Sequence, residues 1–507
     1  MNIKYFHIST IQKDTKELGL LIEELKISSL TNAEIKAIKN LIIDFMTTLK
    51  SDLHVISESG YVDRTYRDSY YDYYSTKRSD FYRNCIRLSF FDSEFDSNVD
   101  LNNIDNIKNN YLGFLILRPL KACIGRNVIS PKAKISIYSD IRICSVEVDS
   151  SCLGIKLKAK GFPHASQDSE TMTCAQTTIW SILEYYGNKY TLYKPTIPTE
   201  IEQVLEPFSY ERQLPSKGLT YNQISVALRK LGFAPKIYFN GKTVEQQERF
   251  RMLLACYIES GIPLAIALTG LSIGHATVCV GTENFNRNEV YKYPVTFETT
   301  DDCGNKIVKT LFSWNKAVAQ QKFVFNDDNF PNYQVTTLDN PNEPYIQRGH
   351  AQWKGVSISQ FIAPLYSKIY MDADEAIELS LQIIGKIIPD CEKNVMRTFL
   401  TSSRTFRNHI ANSRIISNEK RLALLQICMP KFVWVTELST PDEFNNKQIS
   451  TLLILDATGS KMANLSRNII FLISKSYYYR YDDVSHNMKG SLLSFPQAFE
   501  MFPGNLE

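Results

Sequence analysis

Ser166-Gln167-Asp168-Ser169-Glu170-Thr171-Met172-Thr173-Cys174-Ala175-Gln176-Thr177-Thr178-Ile179-Trp180-Ser181-Ile182-Leu183-Glu184-Tyr185-Tyr186-Gly187 is the stretch from which the rest of the chain can be read. A polar loop with short capping residues leads into Ala175, Ile179, Ile182, Leu183 and Tyr186 at helical spacing, and Gly187 stands where a left-handed stop is expected. The pattern predicts a helix with Cys174 in its first turn. Free backbone N–H groups and the positive end of the helix dipole meet there, and both favour a thiolate, the nucleophilic form of cysteine. Unpaired cysteines are more often packed than reactive, so Cys174 becomes a candidate nucleophile only if a base comes within reach.

Downstream, a helix started by Thr220 stops at Gly232, and another over about Val244 to Ser260 stops at Gly261. Pro263–Leu268 and His275–Gly281 then read as paired strands, and Lys322–Asp328 as a later strand running into acidic residues and a Pro- and Asn-rich turn to about Pro344. Acyl transfer by cysteine needs a base to take the thiol proton and a third group to hold that base in one tautomer. Cys174 at a helix start, His275 after Gly274, and Asp327 or Asp328 at a strand end supply those groups in that order. Strand alternation should turn only one of the two aspartates, Asp327 or Asp328, toward the histidine.

This order, with Gln167 upstream of the cysteine, resembles the papain-like cysteine peptidase superfamily, and within it the bacteriocin-processing (double-glycine leader) peptidase branch. The likeness rests on Gln167 to Cys174, Tyr185-Tyr186-Gly187, Leu231-Gly232-Phe233, Gly261-Ile262-Pro263, Gly274 to Gly281 and Asn326-Asp327-Asp328, across about residues 160 to 340. It implies a papain-like core in which the cysteine helix packs on an antiparallel sheet. It also implies Cys174 as nucleophile, His275 as base, Asp327 as the group orienting the imidazole, and Gln167 with the Cys174 N–H as the oxyanion hole. The pattern departs at Ala175, where relatives often have glycine, and at Asp328, where the leader peptidases usually have proline. No transporter segment or nucleotide-binding domain follows, so a leader-processing exporter is not expected and its substrate is not carried over.

At 507 residues the chain is too long for one ordinary core, and a soluble α+β protein of several modules is expected from 44% hydrophobic and 22% charged residues. We divide it into an N-terminal α+β module over 1–150, the peptidase-like domain over 151–345 and a C-terminal α+β module over 346–507. Thr31-Asn32-Ala33-Glu34 is a capping box that opens an amphipathic helix ending near Lys50, and Ile86–Phe91 and Tyr111–Leu120 read as strands. Lys134–Tyr138 and Ile141–Val148 add two more. Between them the Tyr-, Asp- and Arg-dense tract Tyr61–Tyr82 reads as a partly buried loop packed by tyrosines, with a recognition surface as the second reading. In the last third, Asp372–Ile387 and Asn418–Ile427 read as helices and Lys431–Leu438 and Ser450–Ala457 as strands.

A net charge of +3 calls for no nucleic-acid partner, and no apolar run is long enough for a membrane span. The start lacks a signal peptide pattern, and ten cysteines without a C-x-x-C pair fit reduced thiols, so a cytoplasmic location is expected. His164 lies near Cys174 in sequence but is read as packing, and neither His350, His409 nor His486 sits in a metal-ligand pattern. The expectation is therefore a cytoplasmic cysteine protease that needs no cofactor or metal and acts on a protein or peptide substrate. A partner protein would restrain it, as suits a bacterial defence or conflict system. Two alternatives are a transglutaminase or glutamine deamidase using the same triad, and an inactive papain-like protein-binding module.

Overall fold

The computed structural model describes residues 2–92, 103–135, 140–209, 214–300, 304–388, 390–459, 465–474, 478–482, 487–491 and 499–507. Helices and largely antiparallel sheets share the chain, an α+β fold as the sequence suggests. No described helix is long and apolar enough to cross a membrane.

Strands Ile3–His7, His54–Tyr61, Cys85–Phe91, Tyr111–Leu117 and Ile124–Ile129 pair in chain order to form the first sheet. The predicted capping box forms, with the Glu34 carboxylate accepting the Thr31 N–H at 2.8 Å, and starts helix Asn32–Met46. Ile38, Ile42 and Phe45 of that helix cover Leu88, Phe90, Leu115 and Leu117 on one face of the sheet. Strand alternation turns Phe114 and Ile116 to the other face, into the main core. The first half of the tyrosine-dense tract is a helix, Arg64–Asp72, where a loop was expected, while residues 77–82 lie outside helix and strand; Asp63 caps the helix by accepting the Tyr66 N–H at 2.9 Å. Tyr66, Tyr73 and Tyr74 are buried while Tyr71 is exposed.

The segment expected as one strand over Ile141–Val148 is two. Ile141–Ile143 joins the central sheet, and Val146–Cys152 pairs instead with Ile155–Gly161. Of the strand expected over Lys134–Tyr138, residues 136–138 lie outside the described residues, and Lys134 and Ile135 are not in a strand.

The central antiparallel sheet runs in the order Gln334–Thr337, Lys322–Asn326, Gly274–Glu283, Leu264–Thr269, Ser357–Tyr366, Phe233–Phe239, with Ile141–Ile143 beside the far end of Gly274–Glu283. Helix Cys174–Lys189 packs on strand Gly274–Glu283 and is buried all round from Ala175 to Tyr186, as a helix wedged between other elements must be. It does not stop at Gly187. Glycine is needed there for close approach, because a Cβ would stand 2.4 Å from the backbone nitrogen of Pro195. The helices Tyr221–Lys230 and Val244–Glu259 do stop at left-handed glycines, Gly232 (φ 99°) and Gly261 (φ 71°).

The third sheet begins with the hairpin Pro294–Thr300 and Lys306–Ser313 and continues through Val395–Ser402, Phe432–Ser439, Thr451–Asp456, Ile469–Ser474, Tyr478–Asp482 and Asn487–Ser491. The sheets therefore do not respect the boundaries at 150 and 345. Residue 150 lies inside strand Val146–Cys152, the 294–313 hairpin leaves the middle segment to open the last sheet, and Ser357–Tyr366 returns to sit between two central strands. The exchange has a physical reason: without Ser357–Tyr366, strand Leu264–Thr269 would leave a row of unpaired backbone groups at a sheet edge.

Substituting Gly187 by alanine sets a helix-propensity gain of about 1 kcal/mol against overpacking that typically costs about 1–3 kcal/mol. Because the clash is with backbone, the cost should win, and urea unfolding should show Gly187→Ala less stable than the parent. Equal or greater stability would mean that the Pro195 segment gives way freely.

Candidate active site

Thr173 precedes the cysteine helix, and the Gln176 side-chain oxygen Oε1 accepts both its N–H (2.9 Å) and its hydroxyl (2.6 Å). That bond locks the first turn and commits Gln176 to capping. Cys174, the first helical residue, is part-exposed while the helix behind it is buried. The loop leading to it is held by Asp168, whose Oδ1 accepts the N–H groups of Glu170 (3.0 Å), Thr171 (2.8 Å) and Met172 (2.8 Å). Arg118 donates to the carbonyls of Ser166 at 3.0 Å and Gln167 at 3.3 Å from below. The thiol is thus presented by a rigid turn.

His275 follows Gly274 at the start of its strand. The strand pairs antiparallel with Lys322–Asn326, with Val278 opposite Asn326. Carried one residue further, the register sets Asp327 across from Thr277, and His275 lies two residues along on the same face. Its Nε2 donates to Asp327 Oδ2 at 2.9 Å, and the Cys174 side chain is near enough to be among the groups that raise its basicity. With Nε2 committed to the carboxylate, Nδ1 is the nitrogen left for the sulfur. The three groups singled out in the sequence are therefore adjacent.

Alternation was expected to send Asp328 away, but both aspartates reach the imidazole, Asp328 Oδ1 lying 3.7 Å from Nε2. The strand ends at Asn326 and the chain turns, Asp327 Oδ1 accepting the Asn329 N–H at 2.9 Å, so a two-residue period no longer applies. The two carboxyls differ sharply in surroundings. Asp327 also receives the Tyr345 hydroxyl at 2.8 and 2.9 Å, whereas both oxygens of Asp328 are buried without a hydrogen-bond partner.

Burial alone would raise the Asp327 carboxyl, but the His275 charge and the bonds from His275, Asn329 and Tyr345 hold it below its ordinary range. Burial pushes His275 down, yet the Asp327 charge and hydrogen bond raise it well above the usual histidine value. Burial pushes Asp328 up to about 8, with the Asp327 charge adding to it and the His275 charge opposing it. At neutral pH the site is an imidazolium–carboxylate pair beside a neutral carboxylic acid.

Gln167 lies on the acid side of the site. Its amide donates to Asn329 Oδ1 at 2.6 Å, and it lines a cavity of about 200 Å³ with Asp328 and Asn329. His275, Asp327 and Asp328 each offer a donor atom, all within 4.8 Å of one another, a spacing that could hold a metal ion. The imidazole Nε2 and both Asp327 oxygens are already committed to hydrogen bonds, which leaves Asp328 as the member with free lone pairs.

Three neighbours escaped the sequence reading. Tyr345, in helix Glu343–Gln347, bonds Asp327 and stacks at 3.4 Å on Trp353, whose ring stands edge-on to His275 at 5.4 Å. His164, read as packing, is buried and pushed down to about 4, so it is neutral; its Nε2–H donates to the Asp327 carbonyl at 3.1 Å, and the Asn127 amide meets its Nδ1 at 3.1 Å. No pattern of residue types could have shown Tyr345 and Trp353, which come from a Pro- and Asn-rich stretch. His164 was visible, but its partner lies 163 positions away.

Compared with known proteins, the chain matches no family model and no curated protein.

Two pH effects follow from these groups. The stabilisation from His275 is fully present below the ordinary histidine value and is lost as pH rises through its raised one; that from Asp327 is present above the ordinary carboxylate value and is lost as pH falls through its lowered one. Asp328 acts in the opposite sense to Asp327: the folded state binds the extra proton between about 4 and about 8, so stability falls as pH rises across that window. Asp328→Asn should match the parent near pH 4 and exceed it by on the order of a few kcal/mol at pH 9 in denaturant titrations. A gain that is the same at both pH values would contradict a buried neutral acid at this position.

Proposed function

We propose that this protein is a cysteine peptidase with a papain-like core, in which Cys174 attacks a peptide carbonyl, His275 moves the proton and Asp327 orients His275. The observation that supports the reading is the His275–Asp327 hydrogen bond, buried and anchored by Tyr345, with the part-exposed Cys174 side chain close enough to act on the imidazole. The imidazolium already holds the proton given up by the thiol, so sulfur attacks as the thiolate and the carbonyl electron pair moves onto oxygen as the S–C bond forms. The imidazolium then protonates the leaving amine, and water resolves the thioester by the same route in reverse. Asp327 keeps its charge throughout; the single Tyr345 hydroxyl shared between its two oxygens, and the His164 bond to its carbonyl, fix its orientation. The Cys174 N–H at the helix start, together with the Gln167 amide once it is released from Asn329, supplies the oxyanion donors in this reading. The substrate is a protein or peptide, met in the cytoplasm, and a partner protein restrains the enzyme as part of a defence response.

Cys428 is exposed and will also react with alkylating reagents, so labelling must be mapped to individual residues. In a Cys428→Ser background a thiol-reactive peptide warhead should modify Cys174, and His275→Ala should slow that modification by roughly 10²-fold or more. Asp327→Asn should slow it as well while Asp328→Asn leaves it nearly unchanged. Modification of Cys174 no faster than a free thiol, and insensitive to His275, would sink the peptidase reading and favour a binding module. With protein substrates, a cut band supports proteolysis, whereas a mass change of about one dalton without a cut would point to deamidation on the same triad.

A further inference from the structure

At the far end of the cysteine helix, roughly 24 Å from Cys174 by helix rise over 16 residues, lies a second cavity of about 240 Å³. Its lining brings together the aromatic residues Tyr186, Tyr190, Tyr366 and Phe432 with Lys189 and Lys431. The rings form one patch: Tyr186 and Tyr190 stack at 5.9 Å, Tyr190 meets Phe432 edge-on at 6.3 Å, and Phe432 meets Tyr366 at 5.1 Å. Helix, strand and loop from distant parts of the chain thus contribute an aromatic surface to a concave site.

The charge on this surface is unbalanced. Lys189 donates to the Tyr185 hydroxyl and Lys431 lies over Tyr366 at 4.7 Å, and among the described residues neither forms an ion pair with a carboxylate. Glu507, the acidic residue on the wall, has its carboxylate held by Lys160 at 2.7 Å. Burial pushes Lys189 below its ordinary value, with the charges of Cys144 and Glu507 opposing the shift without an ion-pair contact. Ser402 and Thr405 also line the cavity, and Ser402 caps helix Ser403–Asn412, whose positive end adds to the field. Tyr193, on the same wall, buries its hydroxyl without a hydrogen-bond partner.

Unpaired ammonium groups call for an anion, and a wall of rings calls for a flat apolar surface to stack on it. The volume, just below the usual range of about 300–1,000 Å³ for small-ligand sites, limits the ligand to about one base, one sugar and one charged group. We propose that this cavity binds a nucleoside monophosphate, its base stacked on the tyrosine and phenylalanine rings and its phosphate set between Lys189 and Lys431. The site is independent of the thiol chemistry and stands or falls without it. A ligand here would pack on the last turn of the helix whose first residue is Cys174.

Calorimetric titration of the full chain with AMP, GMP, CMP and UMP, separately, tests the assignment. At least one should bind saturably, with its nucleoside and inorganic phosphate each binding at least about tenfold more weakly, and Lys189→Met and Lys431→Met should each weaken it by about tenfold or more. Lys431 is exposed, so its replacement should keep the fold, and matched unfolding curves check this for both variants. Absence of binding by all four nucleotides at millimolar concentration overturns the proposal. So does phosphate or nucleoside binding as tightly as the nucleotide, insensitivity to both lysine replacements in folded protein, or tighter binding of free phosphotyrosine than of any nucleotide.

Discussion

The hydrogen-bonded register between strand Gly274–Glu283 and strand Lys322–Asn326 is the constraint on which the candidate site depends. Setting Val278 opposite Asn326 leaves His275 and Asp327 as diagonal neighbours at the open end of the pair. Because side chains alternate along a strand, a slip of one residue would turn the histidine to the other face of the sheet. The cysteine helix then needs only to lie across the same strand for its first turn to reach the imidazole. Every further anchor, from the Tyr345 hydroxyl to the His164 bond on the Asp327 carbonyl, sharpens a geometry that the ladder has already made.

A second set of interactions ties this sheet to its neighbours. Glu259, at the end of helix Val244–Glu259, is buried and meets Arg142 at 3.0 Å and Arg397 at 3.3 Å, while Arg397 also meets Glu437 at 3.2 Å. Arg142 belongs to the strand beside the histidine strand, and Arg397 and Glu437 to the last sheet. Burying such a network costs desolvation that its mutual attraction roughly offsets, so its contribution is better described as fixing which surfaces meet than as adding net stability. Removing one partner would leave an uncompensated buried charge, which disfavours arrangements that separate these surfaces.

Much of the site was legible because its chemistry is carried by residue types in local contexts. Cys174 follows a capping segment and precedes an apolar helical period; His275 follows a glycine at a strand start; the aspartates close a strand. What misled was extrapolating local rules past the ends of elements. Gly187 reads as a helix stop but serves close contact with Pro195, and alternation failed for Asp328 because the strand had already ended. Tyr345 and Trp353 were beyond reach, since nothing near them in sequence names Asp327 or His275 as a partner.

The amino-acid sequence by itself determined the elements: where the cysteine helix begins, which glycines end its neighbours, which strands flank the histidine, and that the class is α+β. These are local matters, settled by side-chain period, capping and turn chemistry within a few residues. Tertiary structure alone decided that Ser357–Tyr366 returns into the central sheet, that the 294–313 hairpin leaves it, and that two adjacent aspartates hold opposite charge states at neutral pH. Strand partners and local dielectric depend on groups far apart in the chain, and their effect exists only once those groups are packed together.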